Sequence, residues 1–167
     1  IFIYPNNKSK DNNHFNSIYI TEYIVHILAH NGQYKPERNS QIFVVSRLTY
    51  KCISIIEIDA QKAHNIILFK NKWMYCNSLG GVLKWGNNSL FTAREHFLRG
   101  LAMTKDTIFV GGSKIIERGK RLSSDSTLWF LDHEGGVKRS IKIEKIGQIS
   151  EIRSIDFDYG LSESWKK

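Results

Sequence analysis

The chain has 167 residues, of which 41% are hydrophobic, 12% are aromatic and two are proline. This composition is typical of a globular protein with a sizeable core, and it excludes disordered and collagen-like chains. The excess of 24 Lys and Arg over 16 Asp and Glu gives a net charge of +8, which favours anionic partners without identifying them. The first residue is Ile rather than Met, so we expect a piece of a longer protein.

Residues 1–40 form an N-terminal segment for which the sequence leaves helix and strand open. The helical candidate extends from Ile18 to Ala29, because polar residues before it could cap a helix and Gly32 could end one. The many β-branched residues in the same stretch favour strands instead. A short N-terminal helix is therefore the one helical element that we predict.

Residues 41–167 have the alternating, β-branched pattern of short strands joined by hairpin turns. Turn sequences such as Lys-Asn-Lys, Leu-Gly-Gly, Gly-Asn-Asn and His-Glu-Gly-Gly separate the apolar runs. This part of the chain is therefore predicted to be all-β and antiparallel. The predicted strands are two within 41–59, followed by 65–69, 73–77, 82–85, 89–93, 98–103, 107–111, 127–131, 137–143 and 151–157.

An internal repeat organises these strands. Shifting His64–Ser78 by 35 positions places it on Arg99–Ser113 without a gap, with matching apolar runs and a lysine at the turn of each. The sequence Gly-Gly-Val recurs at 80–82 and 135–137, a spacing of 55, so the second unit carries an insertion. Recurring four-stranded units of this size are typical of propeller blades. We expect about three to four antiparallel β-propeller blades, which amount to a partial propeller.

The cysteines and the hydropathy pattern indicate a reducing compartment. Cys52 and Cys76 each lie in an apolar run, which predicts buried free thiols rather than a disulfide. The longest apolar stretch is interrupted by His26 and His30, and it is shorter than the roughly 20 residues that span a bilayer. These two histidines have a metal-ligand spacing for a helix but no accompanying acidic residue, so we predict no metal site. We expect a cytoplasmic protein without a membrane partner.

The candidate binding residues follow from the repeat. In a propeller, the first strand of each blade lines the central channel, so residues at the same end of these strands gather at one mouth. His64, with its neighbour Asn65, and Arg99 take this position in successive units, and Glu151 or Arg153 takes it in the next. We predict that these side chains bind an anionic ligand. The alternative is structural, with an ion pair between Arg99 and Glu151 linking two blades.

A basic loop is the second candidate region. Residues 114–121, KIIERGKR, contain four basic residues and one acidic residue, and they follow the strand that the repeat places after Arg99. Ser113, Lys114 and Arg118 are candidate ligand-binding residues on the rim of the same mouth. The alternative is a solvated surface loop. Val-Gly-Gly-Ser-Lys at 110–114 lacks the full phosphate-binding pattern, and a turn or bulge explains its glycines.

Three short motifs together resemble an uncharacterised bacterial β-propeller family. They are Arg-Gly-Leu-Ala at 99–102, Val-Gly-Gly-Ser-Lys at 110–114 and Gly-Gln-Ile at 147–149, within a likeness that covers about 41–161. The resemblance implies blades related in shape to those of six- or seven-bladed repeat proteins, and a link to surface-polysaccharide biosynthesis. A closed propeller of that kind needs about twice this length, so the resemblance also implies a partial chain.

No recognised catalytic signature is present. Ser78 and Ser113 lie outside a Gly-x-Ser-x-Gly elbow, and no residue is identified that would orient His64 as a base. We therefore predict a non-catalytic propeller that binds an anionic small molecule, glycan or protein at its mouth without a cofactor. The alternative is a propeller-type lyase, hydrolase or transferase acting on a sugar-like substrate, with His64 as acid/base and Arg99 as anion clamp. Nucleic acid is disfavoured, because the aromatic residues lie within strands rather than among basic residues.

Overall fold

The computed structural model describes residues 14–31 and 38–154, which are almost entirely β-structure. The predicted all-β class is confirmed, and each strand predicted between residues 41 and 143 is present with its ends shifted by at most three residues. A 3-10 helix at Arg118–Ser123 is the one helical element in the described residues. The strands are β1 (Phe15–Ile20), β2 (Ile24–Ala29), β3 (Gln41–Ser46), β4 (Cys52–Glu57), β5 (Ala63–Phe69), β6 (Lys72–Asn77), β7 (Val82–Trp85), β8 (Asn88–Thr92), β9 (His96–Met103), β10 (Ile108–Lys114), β11 (Ser126–Leu131) and β12 (Val137–Ile143).

The strands form three antiparallel sheets of four, and each sheet takes four consecutive strands in chain order. Sheet 1 contains β1 to β4, sheet 2 contains β5 to β8, and sheet 3 contains β9 to β12. Tight turns produce this order, as between β5 and β6, where Lys70 and Asn71 both have the positive φ of a type I′ hairpin turn. Within the described residues, the sheets do not close into a ring.

The predicted N-terminal helix is wrong. Residues from Ile18 to Ala29 belong instead to β1 and β2, which pair antiparallel with Tyr19 opposite His26. The stretch is rich in β-branched residues, and β2 also pairs along its whole length with β3. Strand pairing on both sides of β2 therefore outweighs the local helix signals. Sheet 1 thus takes strands from both sides of residue 40.

The strand predicted at 151–157 is not formed in its described part. Residues 151–154 have no assigned secondary structure, and 155–157 lie outside the described residues. The segment nevertheless packs on sheet 3, because a Cβ added to Gly100 would meet the side chains of Ile149 and Ile152. The backbone N–H of Ile149 also donates a hydrogen bond to Ser113 Oγ, at 3.3 Å.

Two apolar cores hold the sheets together, one on each face of sheet 2. Strand β6 contributes side chains to both cores, because successive side chains of a strand point to opposite faces. Tyr75 faces sheet 1, while Met74 and Cys76 face sheet 3. The core between sheets 1 and 2 contains Leu28, Ile42, Ile58, Ala60, Ala63, Ile66 and Tyr75. The core between sheets 2 and 3 contains Ile67, Met74, Cys76, Leu83, Leu98, Leu101, Met103, Ile108, Val110 and Leu131.

The 35-residue repeat recurs in three dimensions as a matched pair of β-bulges. The pairing of β5 with β6 skips Asn65, and the pairing of β9 with β10 skips Gly100. Both residues have positive φ, 54° for Asn65 and 75° for Gly100. A bulge with a left-handed residue bends its strand and redirects the adjacent side chains. Strands β5 and β9, the first strands of sheets 2 and 3, therefore bend at equivalent positions of the repeat.

A buried serine links each sheet to the segment that follows it. These hydroxyls bond backbone groups that would otherwise lie buried between sheets without a partner. The same kind of contact thus recurs at each junction. The three contacts are Ala63 N–H to Ser40 Oγ (3.0 Å), Ser78 Oγ to the Leu98 carbonyl (2.6 Å) and Ile149 N–H to Ser113 Oγ (3.3 Å).

Both cysteines are free thiols, as predicted. Cys76 is fully buried and burial raises its pKa to about 12, whereas Cys52 is partly exposed on β4, so the prediction that both are buried holds for Cys76 alone. A helix that could cross a bilayer is absent from residues 14–31 and 38–154.

Candidate functional site

The predicted convergence of His64 and Arg99 is present where β5 and β9 begin. Arg99 Nη2 lies 2.6 Å from His64 Nε2, although the residues are 35 positions apart in sequence. His64 is 5% exposed, and Arg99 is partly exposed. The ring of Phe97, two residues before Arg99, lies 5.4 Å from the His64 ring and 5.5 Å from the guanidinium. An aromatic ring therefore supports both members of the pair.

The hydrogen bonds of His64 fix its tautomer. Nδ1 lies 2.8 Å from the carbonyl of Lys62, so it carries the proton and donates. Nε2 is then left as the acceptor for the Arg99 guanidinium. Burial, followed by the positive charge of Arg99, lowers the pKa of His64 to about 3. His64 is therefore a neutral acceptor at physiological pH, with both ring nitrogens in use.

Within the described residues, no carboxylate balances the positive charge of Arg99. Its side-chain hydrogen bond goes to a neutral imidazole, and no ion pair of Arg99 occurs among the described residues. Its Nε is buried without a hydrogen-bond partner in the structure described. Burial, and then repulsion from Arg121 in the 3-10 helix, lower the pKa of Arg99. The guanidinium groups of Arg99 and Arg121 are thus close enough to repel each other.

Further histidines extend this basic region. The ring of His30 lies 5.4 Å from the ring of His64, and the ring of His14 lies 3.9 Å from that of His30. Electrostatic interaction with each of them lowers the pKa of His64 further, after the larger effects of burial and Arg99. We call His14, His30, His64, Arg99 and Arg121 the basic mouth.

The alternative of an ion pair between Arg99 and Glu151 is not realised. Glu151 Oε2 accepts a hydrogen bond from Asn65 Nδ2 at 3.2 Å, and Glu151 Oε1 lies 3.6 Å from Arg153 Nε. Removing Arg99 therefore does not leave Glu151 without a partner. The physical reason is the bulge at Asn65, which directs that amide rather than His64 towards the segment containing Glu151.

Three of the predicted site residues line a cavity apart from the basic mouth. Asn65, Glu151 and Arg153 face a space of about 340 Å³ beside the edge strands β1 and β5. His64 and Arg99 are not among the residues that line it. The sequence prediction of one site thus divides into two neighbouring regions.

The remaining predicted residues are placed differently. Ser113 is buried and bonds Ser126 Oγ at 2.6 Å, so it holds the sheet rather than a ligand. Lys114 is exposed at the end of β10. Arg118 begins the 3-10 helix, and its side chain lies outside the part of the chain that is described.

The structure explains why glycine occupies the two positions before Ser113. A Cβ on Gly111 would lie 2.4 Å from the Arg99 carbonyl oxygen, and a Cβ on Gly112 would lie 2.7 Å from the ring of Trp129. Close packing against the Arg99 backbone, Ile149 and Trp129 therefore requires these glycines, whereas the bulged residue lies on the neighbouring strand, at Gly100 of β9.

Ser78 and His64 do contact each other, with Oγ 2.9 Å from Nδ1. However, Ser78 is fully buried and its hydroxyl donates to the Leu98 carbonyl. A nucleophile needs access to substrate and a base that can take its proton. This pair has neither, since the Nδ1 of His64 is itself a donor.

Sequence reasoning placed the loop that ends at Arg121 at the rim of the mouth, but it did not identify His30 or His14 as members. Arg121 ends the basic loop KIIERGKR, so its position in the loop was a usable signal. His30 follows β2, and His14 precedes β1. Their proximity to His64 depends on the pairing of sheet 1, which the predicted helix obscured.

No protein-family model matches the chain, and the search of curated proteins finds no match. Among solved structures, the computationally designed Ika4 protein is similar over 86% of this chain and 81% of its own, with 14% identity and a TM-score of 0.51. The computationally designed Ika8 protein is similar over 85% of this chain, with 15% identity and a TM-score of 0.50. Pyrococcus horikoshii acylaminoacyl peptidase matches over 79% of it, with 12% identity and a TM-score of 0.47. The chain spans 40% of Ika8 and 25% of the peptidase. At these identities, the likeness to the two designed proteins describes the fold alone.

Proposed function

We propose that the three sheets are successive blades of a β-propeller and that the basic mouth binds the anionic group of a small molecule or glycan. Three observations support the blades: each sheet is a four-stranded meander in chain order, the first strands contact one another, and a serine contact recurs at each junction. The surface-polysaccharide link depends on the resemblance of the sequence motifs alone, and it favours an acidic sugar as the ligand.

One observation carries the binding function. Arg99 is partly exposed, and its side-chain hydrogen-bond partner within the described structure is a neutral imidazole rather than a carboxylate. Burying part of a charge without a counter-ion is unfavourable, and an anionic ligand would remove this penalty. A guanidinium also binds carboxylate or phosphate through parallel hydrogen bonds.

The neutral state of His64 fits this role. Its Nε2 accepts from Nη2 and so fixes the orientation of the guanidinium, while Nδ1 is fixed by the Lys62 carbonyl. His64 is thus a positioning residue, and Arg99 is the residue that contacts the anion. Arg121 adds electrostatic attraction for an anion, which salt would screen.

Isothermal titration calorimetry with inorganic phosphate and with glucuronate tests the proposal, with uncharged glucose as the comparison ligand. We expect Arg99→Ala to weaken anion binding by about 1.5 to 3 kcal/mol, the range for hydrogen bonds to charged groups. Arg139→Ala is the matched control, because Arg139 is an exposed arginine on β12. Equal binding by the two variants would overturn the proposal, as would binding that glucose matches.

A further inference from the structure

The cavity beside the basic mouth has its own chemistry. Its volume of about 340 Å³ falls in the range of pockets that hold small molecules, roughly 300 to 1,000 Å³. It is bordered by β1, by β5 and by residues 151–154, with Leu101 of β9 also in the wall. Strands β1 and β5 are edge strands of their sheets, and side chains of β1 bond the backbone of β5: Asn16 Nδ2 donates to the Ala63 carbonyl at 2.8 Å, and the Ile66 N–H donates to Ser17 Oγ at 3.2 Å.

The walls of the cavity are about equally polar and apolar, and aliphatic side chains supply much of the apolar part. Ile18, Ile20, Ile67, Leu101 and Ile152 contribute to them. Ile18 and Ile20 are 61% and 57% exposed, although isoleucine is usually buried. An apolar group in the cavity would cover this surface and gain the free energy of removing it from water.

Two opposite charges stand side by side at this cavity. Glu151 Oε1 and Arg153 Nε are 3.6 Å apart, and the two side chains are 52% and 82% exposed. An ion pair this exposed contributes little to stability, and a ligand can therefore separate its two side chains at a small cost in free energy. The carboxylate and the guanidinium are then both available to a ligand.

Asn65 holds the carboxylate in place. The backbone N–H of Gly100 donates to Asn65 Oδ1 at 2.8 Å, which leaves Nδ2 to donate to Glu151 Oε2 at 3.2 Å. Asn65 is 4% exposed, so its amide is fixed by the protein rather than by solvent. Asn65, the bulged residue of β5, therefore holds the Glu151 carboxylate at the cavity.

We propose that this cavity binds a small zwitterion with an aliphatic side chain, of the chemical class of a branched-chain amino acid. The ligand's ammonium group pairs with Glu151, its carboxylate pairs with Arg153, and its side chain lies against the isoleucines. The three complementary features lie within one small space, which a simple anion or a neutral polyol would use only in part. The inference is independent of the proposed function, because neither Arg99 nor His64 lines the cavity.

Calorimetry of the full 167-residue chain with L-leucine tests this assignment. L-Leucinamide lacks the carboxylate, 4-methylpentanoate lacks the ammonium group, glycine lacks the side chain, and glycerol is a neutral polyol. We expect leucine to bind at least tenfold more tightly than each of these. Failure of leucine to bind, or equally tight binding of glycerol or glycine, would overturn the proposal.

Two variants identify the partners of each charge. Arg153→Met should abolish the preference for leucine over leucinamide, and Glu151→Gln should abolish the preference over 4-methylpentanoate. Both side chains are exposed, so both variants should keep the melting temperature of the parent chain. Arg99→Ala should leave leucine affinity unchanged, which separates this site from the basic mouth. Leucine binding that responds to Arg99→Ala, but not to Arg153→Met or Glu151→Gln, would contradict the assignment.

Discussion

Arg99 and His64 hold corresponding positions in two successive sheets, and their side chains meet at 2.6 Å through Nη2 and Nε2. The contact is unusual in its charge state. A cationic group is oriented by a neutral, buried acceptor rather than by a carboxylate, so the pair positions a charge without neutralising it.

The stability effect of Arg99→Ala follows from this pairing. The change leaves the buried Nε2 of His64 without a donor, which costs about 1 to 3 kcal/mol. Among the described residues no carboxylate pairs with Arg99, so the loss should stay below the roughly 3 to 5 kcal/mol of a broken buried ion pair. Urea denaturation measures the difference, with Arg139→Ala as the exposed control. A loss clearly above 4 kcal/mol would mean that Arg99 has an ionic partner.

The stability of the protein should fall in acid because of His64. Its pKa is about 3 in the folded state and about 6.5 when unfolded, so the unfolded chain binds the additional proton between these values. Above about pH 6.5, His64 is neutral in both states and does not lower the free energy of unfolding. Below that pH, protonation of the unfolded chain lowers it progressively. It should decline by about 2 kcal/mol between pH 7 and pH 5.

Urea midpoints at pH 7 and pH 5 check this dependence. His64→Gln supplies an acceptor that does not titrate, so the variant should lose about 2 kcal/mol less than the parent over the same interval. Ile108→Val is the control, because it destabilises the core equally at both pH values. The same pH dependence in His64→Gln and the parent chain would show that His64 is not the group responsible.

The bulge at Gly100 should not accept a side chain. Gly100 has a φ of 75°, and an added Cβ would lie 2.8 Å from Ile152 Cγ1 and 2.9 Å from Ile149 Cγ2. The left-handed conformation alone costs roughly 1 to 2 kcal/mol for an L-residue, and displacing the isoleucines adds to it. We expect Gly100→Ala to lower the free energy of unfolding by about 2 kcal/mol or more.

Gly119→Ala is the matched control for this change. A Cβ there would meet nothing within 4 Å, so the substitution should alter the free energy of unfolding by less than about 0.5 kcal/mol. Equal effects at the two glycines would contradict the docking of the 149–152 segment on sheet 3.

The core between sheets 2 and 3 should be sensitive to truncation. Ile108 is fully buried, so Ile108→Ala should cost about 2 to 5 kcal/mol, which denaturant unfolding measures. Ile53→Ala removes the same atoms from a side chain that is 60% exposed and should cost about 0.5 kcal/mol or less. The sequence predicts that buried positions are found among Trp73, Tyr75, Ile108 and Val110. Tyr75, Ile108 and Val110 are buried, whereas Trp73 is only partly buried. A parent-like midpoint for Ile108→Ala would place this residue outside the core.

Much of the fold follows from the sequence alone. Alternating apolar residues and turn chemistry act over a few residues, so they predicted the strands from β3 to β12 before any tertiary contact was known. The repeat placed His64 and Arg99 at equivalent points because the two units use the same local pattern. It also contained the bulge, since Asn65 aligns with Gly100, and asparagine and glycine are the residues that most readily adopt positive φ.

Tertiary structure decided the rest. Whether Ile18–Ala29 forms a helix or strands depended on the pairing of β2 with β3, because the same residues carry local signals for both structures. The partner of Glu151 depended on the bulge at Asn65, since one inserted residue changes which side chain faces a neighbouring element. The basic mouth and the separate cavity both lie where different sheets meet. Distances across such junctions are set by packing rather than by sequence spacing, so local patterns could name the residues but not divide them between two sites.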